Sequence, residues 1–310
     1  MANAKPALVL LLVTLISFSC SGSAQETVQY VPLSSSSFKE NLVAVWNEHN
    51  AGAYGDEVQL SLNKVDNVSE GVTITTTTKY YCGYFRASVR LPRGDSSGTV
   101  ATLYLASPGP DHSEVDFEFL GNKTNTQPGN NEIVLQTNIF AAGVGNREQR
   151  ISLWFDPTED FHYYSVIWNH KTVSMYVDEV LIRIFQNYED QGVPYLRSDK
   201  AMQVYMSIFD GSSWATRGGL DKIDWSHSPF NVRYKDIIID ACVVDPASIM
   251  ASPCARPEAD NWWNQPYFHS LPADRLAFMD QVMKDHCIYD YCIDTKRFPV
   301  PPPECTLPRR

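Results

Sequence analysis

The stretch HSEVDFEFLGN, His112–Asn122, decides how the chain reads. Glu114, Asp116 and Glu118 alternate there with Val115, Phe117 and Phe119. A period of two is the strand period: residues i, i+2 and i+4 leave one face of a strand and the intervening residues leave the other. The segment therefore predicts a strand with three carboxylates on one side and three core side chains on the other. Asp and Glu are poor strand formers, and like charges on one face repel. A solvated acidic face is the bland explanation. Carboxylates paired for acid and base chemistry are the sharper one.

Alternate residues on a strand lie ~6.8 Å apart, which puts the Cα atoms of Glu114 and Glu118 ~13 Å apart. Side chains leaning together reach the ~5–5.5 Å carboxyl separation of a retaining glycosidase. In that chemistry one carboxylate is ionised and attacks the anomeric carbon, while another is protonated and donates to the leaving oxygen. A like charge nearby raises a carboxyl pKa and keeps a proton in place. Asp116, in the middle, can hydrogen-bond a neighbouring Glu and hold its charge state. Strand geometry alone leaves open which Glu is the nucleophile.

Outward from this segment, Tyr30 to about Val244 reads as many short strands. Val58–Leu62, Phe85–Leu91 and Val173–Val177 alternate apolar and polar residues, and Gly71–Tyr81 is rich in β-branched and aromatic ones. Turn residues fill the gaps, as in PRGDSSG, Pro92–Gly98. No helical period is sustained here, so an all-β sandwich or barrel is expected. The tail differs: Leu276, Met279 and Met283 mark one face of a helix over 272–286, and the Pro-rich end Phe298–Cys305 should be extended.

A lysine followed by the apolar run Ala7–Ser19 and the small residues Gly22–Ala24 reads as a secretory signal peptide, residues 1–24. The run is too short to span a bilayer, so a secreted chain without a membrane anchor is expected. Removing the leader takes one of 25 basic residues and leaves 24 against 36 acidic, a net of −12. That surplus argues against nucleic acid as a partner and suits a neutral polymer. Of seven cysteines, Cys20 leaves with the leader, and six in a secreted chain suggest disulfides. No CxxC pair points to zinc, and no metal or cofactor is expected. Asn67 and Asn122 head N-x-S/T sequons, fair sites for glycans on a surface. Candidate sugar-stacking aromatics are Tyr81, Tyr84, Tyr104, Trp154, Trp168, Trp214, Trp225, Trp262 and Trp263, with a place in the sandwich core the plainer reading of each.

HSEVDFEFLGN resembles the H-D-E-I-D-F-E-F-L-G-N signature of plant xyloglucan endotransglucosylase/hydrolases, in glycoside hydrolase family 16. Gly145–Asn169, Trp214–Phe230 and Tyr291–Cys305 are similar to the family in order and spacing, so the resemblance covers nearly all of the mature chain. It implies a curved β-jelly-roll sandwich of two antiparallel sheets over 25–245, with a disulfide-stapled C-terminal extension over 246–310 that lengthens the cleft. It makes Glu114 the nucleophile, Asp116 the helper and Glu118 the acid/base. Its sugar-contacting positions carry over as Glu118, Gln136, Thr137, Asn138, Asn146, Arg147, Glu148, Ser213, Trp214, Gly218 and Arg297. The family's disulfides would be Cys242–Cys254 and Cys292–Cys305, leaving Cys82 and Cys287 free or joined to each other. Asn122 is the family's glycan position.

The implied activity is cleavage of a β-1,4-glucan backbone and transfer of the fragment to another xyloglucan chain, by a monomer in the cell wall or apoplast. Hydrolysis, or a mixed-linkage glucan or cellulose donor, is the alternative within the enzyme class, and a lectin-like wall protein the alternative outside it. Phe209–Leu220 lacks the longer loop of the hydrolytic members, which favours transfer. The acidic strand lacks the extra residue of bacterial members, so its ladder should be regular. Ser113 and Ser213 stand where the family often has Asp, and the segment Lys123–Leu135 is longer and more polar than usual.

Overall fold

A computed structural model describes residues 28–30, 38–123 and 133–308. The leader expected over 1–24 lies outside the described residues, as does most of the segment after Lys123. Two antiparallel sheets pack face to face. One has eight strands in the order Cys287–Asp290, Gln149–Ser152, Val134–Phe140, Glu114–Leu120, Thr99–Ala106, Gln203–Asp210, Val72–Thr76 and Leu42–Trp46. The other has nine. Its path runs Val180–Gln186, Thr172–Val177, His162–Trp168, Tyr80–Arg90, Phe230–Val243, Glu57–Val65 and Ala51–Tyr54, with Val28–Tyr30 and Val68–Glu70 added at its side.

The acidic strand Glu114–Leu120 lies in the interior of the eight-stranded sheet. Its ladders to Val134–Phe140 and to Thr99–Ala106 run without a register shift, as the sequence spacing requires. Val115, Phe117 and Phe119 are at most 1 % exposed, and both phenylalanines meet the ring of Tyr164 edge-on from the facing sheet. Burying three such side chains contributes roughly 1.5–3 kcal/mol each, which fixes the register: a slip of one residue would drive three carboxylates into that core. Just beyond the strand, Gly121 is a close-approach position. A Cβ there would sit 1.8 Å from the Ser96 carbonyl oxygen.

Elsewhere local chemistry explains the turns. Asp66 and Asn67 both have positive φ and form the two-residue turn of the hairpin Glu57–Val65/Val68–Glu70, which leaves Asn67 exposed. The expected helix is Ala273–His286, with Met279 and Val282 buried. A single helical turn at Phe38–Asn41 precedes the first long run of strands, too short to be a sustained helical period. One expectation is corrected. The Pro-rich end is not extended throughout, because Pro303–Thr306 closes a 3-10 turn, the prolines presetting φ for it. The disulfides are Cys242–Cys254 and Cys292–Cys305, while Cys82 and Cys287 are free. Among the described residues no helix is long and apolar enough to cross a membrane.

Candidate active site

The outward face of the acidic strand forms the floor of a groove of about 590 Å³. Glu114, Asp116 and Glu118 all line it. Thr73, Thr102 and Ser207, from strands to one side, add hydroxyls. Gln136, Asn138 and Arg150 line it from the other side, and Glu148 from the loop before Gln149–Ser152. The tail contributes too. Strand Cys287–Asp290 pairs with Gln149–Ser152 and brings in Tyr289, and Arg297 follows from the next loop.

The three carboxyls differ in environment. Asp116 is 5 % exposed; burial and the two flanking carboxylates push its pKa well above the ordinary aspartate range, so it keeps its proton. It hydrogen-bonds Glu114. Burial raises the pKa of Glu114 above the ordinary glutamate range, and His112, whose Nε2 is 4.0 Å from Glu114 Oε2, and the Asp116 hydrogen bond hold that rise back. Glu118 is pushed up to about 7, first by burial and then by the charges of Glu114 and Glu148. Gln136 and Arg150 oppose that rise. Gln136 Nε2 donates to Glu118 Oε2 at 2.6 Å, while Arg150 Nε donates to Gln136 Oε1 at 2.8 Å, which fixes the orientation of the amide. Burial raises the pKa of all three carboxyls on this strand face; His112 and Asp116 hold the rise back at Glu114, while Glu118 is carried to about 7.

Of the residues expected from the sequence, Glu114, Asp116, Glu118, Gln136, Asn138, Glu148, Trp214 and Arg297 meet around the groove. Asn146 stands at its rim, its Oδ1 accepting from Arg297 Nη2 at 2.6 Å. Two expected contacts are corrected. Thr137 lies between Gln136 and Asn138 on a strand, so its side chain points to the opposite face, where it is fully buried. The Arg147 side chain also points inward, to Glu304, and only its backbone N–H serves the groove wall by donating to Asn138 Oδ1 at 3.0 Å. Ser213 and Gly218 are exposed in the loop after Gln203–Asp210 and do not line the groove. Ser113 is fully buried, its Oγ accepting from the Arg197 N–H at 2.9 Å.

The aromatic candidates separate by burial. Tyr104 and Trp214 line the groove, and Tyr104 stacks on Tyr205 with centroids 4.9 Å apart. Tyr81, Trp168 and Trp263 are core residues. Trp154 lines a separate hollow beside Asn122. Tyr84 and Trp262 pack on each other, and Trp225 packs on Phe230. Arg150, Tyr289 and the hydroxyls of Thr73, Thr102 and Ser207 were missed. Arg150 lay within a matched block, and strand alternation from Glu148 would have marked it as a near neighbour of the site.

The profile of glycosyl hydrolases family 16 matches residues 38–227, and that of the xyloglucan endo-transglycosylase C-terminus matches residues 257–305. The chain belongs to glycosyl hydrolases family 16. It is 45% identical over 250 residues to xyloglucan endotransglucosylase/hydrolase protein 9 of Arabidopsis thaliana, covering 81% of this chain and 83% of that one. With xyloglucan endotransglucosylase protein 34 of Populus tremula x Populus tremuloides it shares 43% over 274 residues, 88% of each chain. Among solved structures it is similar to a Bacillus licheniformis beta-glucanase, at TM-score 0.51 and 21% identity, covering 64% of this chain and 86% of that one. The Crh5 transglycosylase in complex with NAG matches at TM-score 0.53 and 20% identity, covering 70% and 84%. These family 16 likenesses identify the two-sheet sandwich as a β-jelly roll, and the C-terminal profile falls on the segment that carries Tyr289, Arg297 and Glu304.

Proposed function

We propose that this family 16 chain is a retaining xyloglucan endotransglucosylase that acts outside the cell in wall construction and remodelling. The observation that carries the reading is the arrangement of one strand face: Glu114, Asp116 and Glu118 all line the groove, with Asp116 bonded to Glu114 and the Gln136 amide bonded to Glu118. The relatives' names supply the polymer.

Glu114 is the nucleophile. Its carboxylate attacks the anomeric carbon of the donor chain, the glycosidic C–O bond breaks, and Glu118 gives its proton to the departing 4-oxygen. The result is a glycosyl ester on Glu114 and an ionised Glu118. Glu118 then takes the proton from the 4-hydroxyl of an acceptor chain, whose oxygen attacks the same carbon and expels Glu114 as carboxylate. Two inversions retain the β configuration. Asp116 supplies a hydrogen bond to Glu114 that is strongest when Glu114 is ionised, before attack and after release. Arg297, Tyr289 and Trp214 hold sugar units along the groove, together with the Gln136 and Asn138 amides. Residues 25–245 form the catalytic jelly roll and 246–310 the stapled extension that completes the groove. The 1–24 leader directs secretion, and Asn122 and Asn67 carry glycans.

Incubation with xyloglucan and a labelled xyloglucan oligosaccharide tests the proposal. Label entering polymer supports transfer. A rise in reducing ends without incorporation identifies a hydrolase, and neither change overturns the reading.

A further inference from the structure

Arg183 is the least expected side chain in the fold. It sits on Val180–Gln186, at the end of the nine-stranded sheet, yet it is 3 % exposed and reaches across the sandwich to the back of the groove wall. Its Nη1 donates to Thr137 O at 3.0 Å and to Thr137 Oγ1 at 2.8 Å, and its Nη2 donates to Arg147 O at 2.6 Å. Its guanidinium also lies 5.8 Å from the ring centroid of Tyr291, a residue of the extension. A buried guanidinium without partners is strongly disfavoured, so this donor set fixes the position of what it touches.

What it touches matters. Thr137 stands between Gln136 and Asn138, whose side chains line the groove. The Arg147 N–H holds Asn138 Oδ1. Arg147 is itself seated by the tail: its Nε donates to Glu304 Oε1 at 2.6 Å, both side chains being 8 % exposed, and its Nη1 donates to the Ile139 and Val144 carbonyls. Glu304 is next to Cys305, whose disulfide to Cys292 holds this part of the tail in place, and Tyr291 OH reaches the same Glu304 oxygen at 3.4 Å.

We propose that Glu304, Arg147 and Arg183 form a buried positioning relay by which the C-terminal extension sets the groove wall, and through Gln136 the proton donor Glu118. The inference rests on the transglucosylase reading for its chemistry. None of the three touches substrate; they act through the Thr137 backbone and the Asn138 amide. The extension thus contributes twice, with Tyr289 and Arg297 in the groove and with a counter-ion beneath it.

The test is Glu304→Gln in the full chain, which keeps the shape and removes the charge. Glu118 is faced by Glu114 and Asp116 on its own strand, by Gln136 on the next, and by Glu148 and Arg150 beyond, and none of these is altered. The expected result is a several-fold fall in kcat with a folded protein. The alkaline limb of kcat/KM should move to higher pH, because a slack Gln136 no longer favours the Glu118 carboxylate. A kcat and an alkaline limb unchanged in Glu304→Gln would overturn the relay, as would a loss of rate that follows only the folded fraction. Carboxyl carbon NMR of Glu118 reads the same shift without turnover. Wild-type inactivity on xyloglucan would therefore count against the proposed function alone, and an unmoved Glu118 titration against the relay alone.

Discussion

Gln136 stands directly opposite Glu118 in the ladder between Glu114–Leu120 and Val134–Phe140 and donates to its Oε2 across 2.6 Å. That bond favours the carboxylate and opposes the burial that raises the Glu118 pKa. Replacing Gln136 with Leu should raise that pKa further. The alkaline limb of the transfer rate should shift to higher pH, and kcat should fall by about 10- to 100-fold as the donor loses its orientation. A pH–rate profile decides it; an unmoved limb would show that the amide does not tune the acid.

Glu114→Gln should abolish transfer, with a loss beyond about a thousandfold. The fold should survive, because Glu114 sits on the groove face while Val115 and Phe117 hold the strand in the core. Circular dichroism together with label incorporation checks both halves. Near-normal transfer by this variant would remove Glu114 from the nucleophile's role.

Stability should carry the mark of Glu118. Its folded pKa, about 7, lies above the ordinary glutamate value, so the stability linked to it is fully present below about pH 4 and is lost as pH rises through 7. The shift corresponds to about 3 kcal/mol. Glu118→Gln cannot ionise. Its Tm should exceed that of the wild type at pH 8, and the difference should close on acidification. Thermal melts across that range give the answer, and a constant offset would contradict the assigned shift.

Arg297→Ala should act on binding more than on chemistry. Arg297 clamps Glu148 at 2.7 Å and Asn146 at 2.6 Å at the groove rim. KM should rise several-fold with a smaller change in kcat. Steady-state kinetics with oligosaccharides of fixed length separates the two, and a pure kcat effect would place Arg297 closer to the reaction than its contacts indicate.

Gly121→Ala should be costly although no chemistry is lost. The added methyl meets the Ser96 carbonyl, a backbone atom that cannot swing aside, and Gly121 also bonds Thr99 O and Thr216 Oγ1. The end of the acidic strand must then shift. Destabilisation of about 1–3 kcal/mol is expected by denaturant unfolding.

Much of this was legible because period two leaves few choices. Glu114, Asp116 and Glu118 had to share a face, and Val115, Phe117 and Phe119 had to be core. The same rule, applied to Gln136, Thr137 and Asn138, would have turned Thr137 inward, as the structure does. The position of the Arg147 side chain was not legible, since it depends on Glu304, a residue 157 positions later in the chain. Tyr289 escaped for the same kind of reason: the pairing of Cys287–Asp290 with Gln149–Ser152 is a long-range choice that no local pattern announces. The aromatics divided by burial, which depends on which sheet faces each ring.

The last strand of the eight-stranded sheet, Cys287–Asp290, comes from beyond the helix Ala273–His286 rather than from the body of the sandwich. A tail that supplies a sheet edge is no detachable appendage. Chimeras that exchange tails between such enzymes would trade part of the sugar-binding wall along with the ending, and a protease nick ahead of Cys287 would disarm the enzyme while leaving most of its sandwich standing.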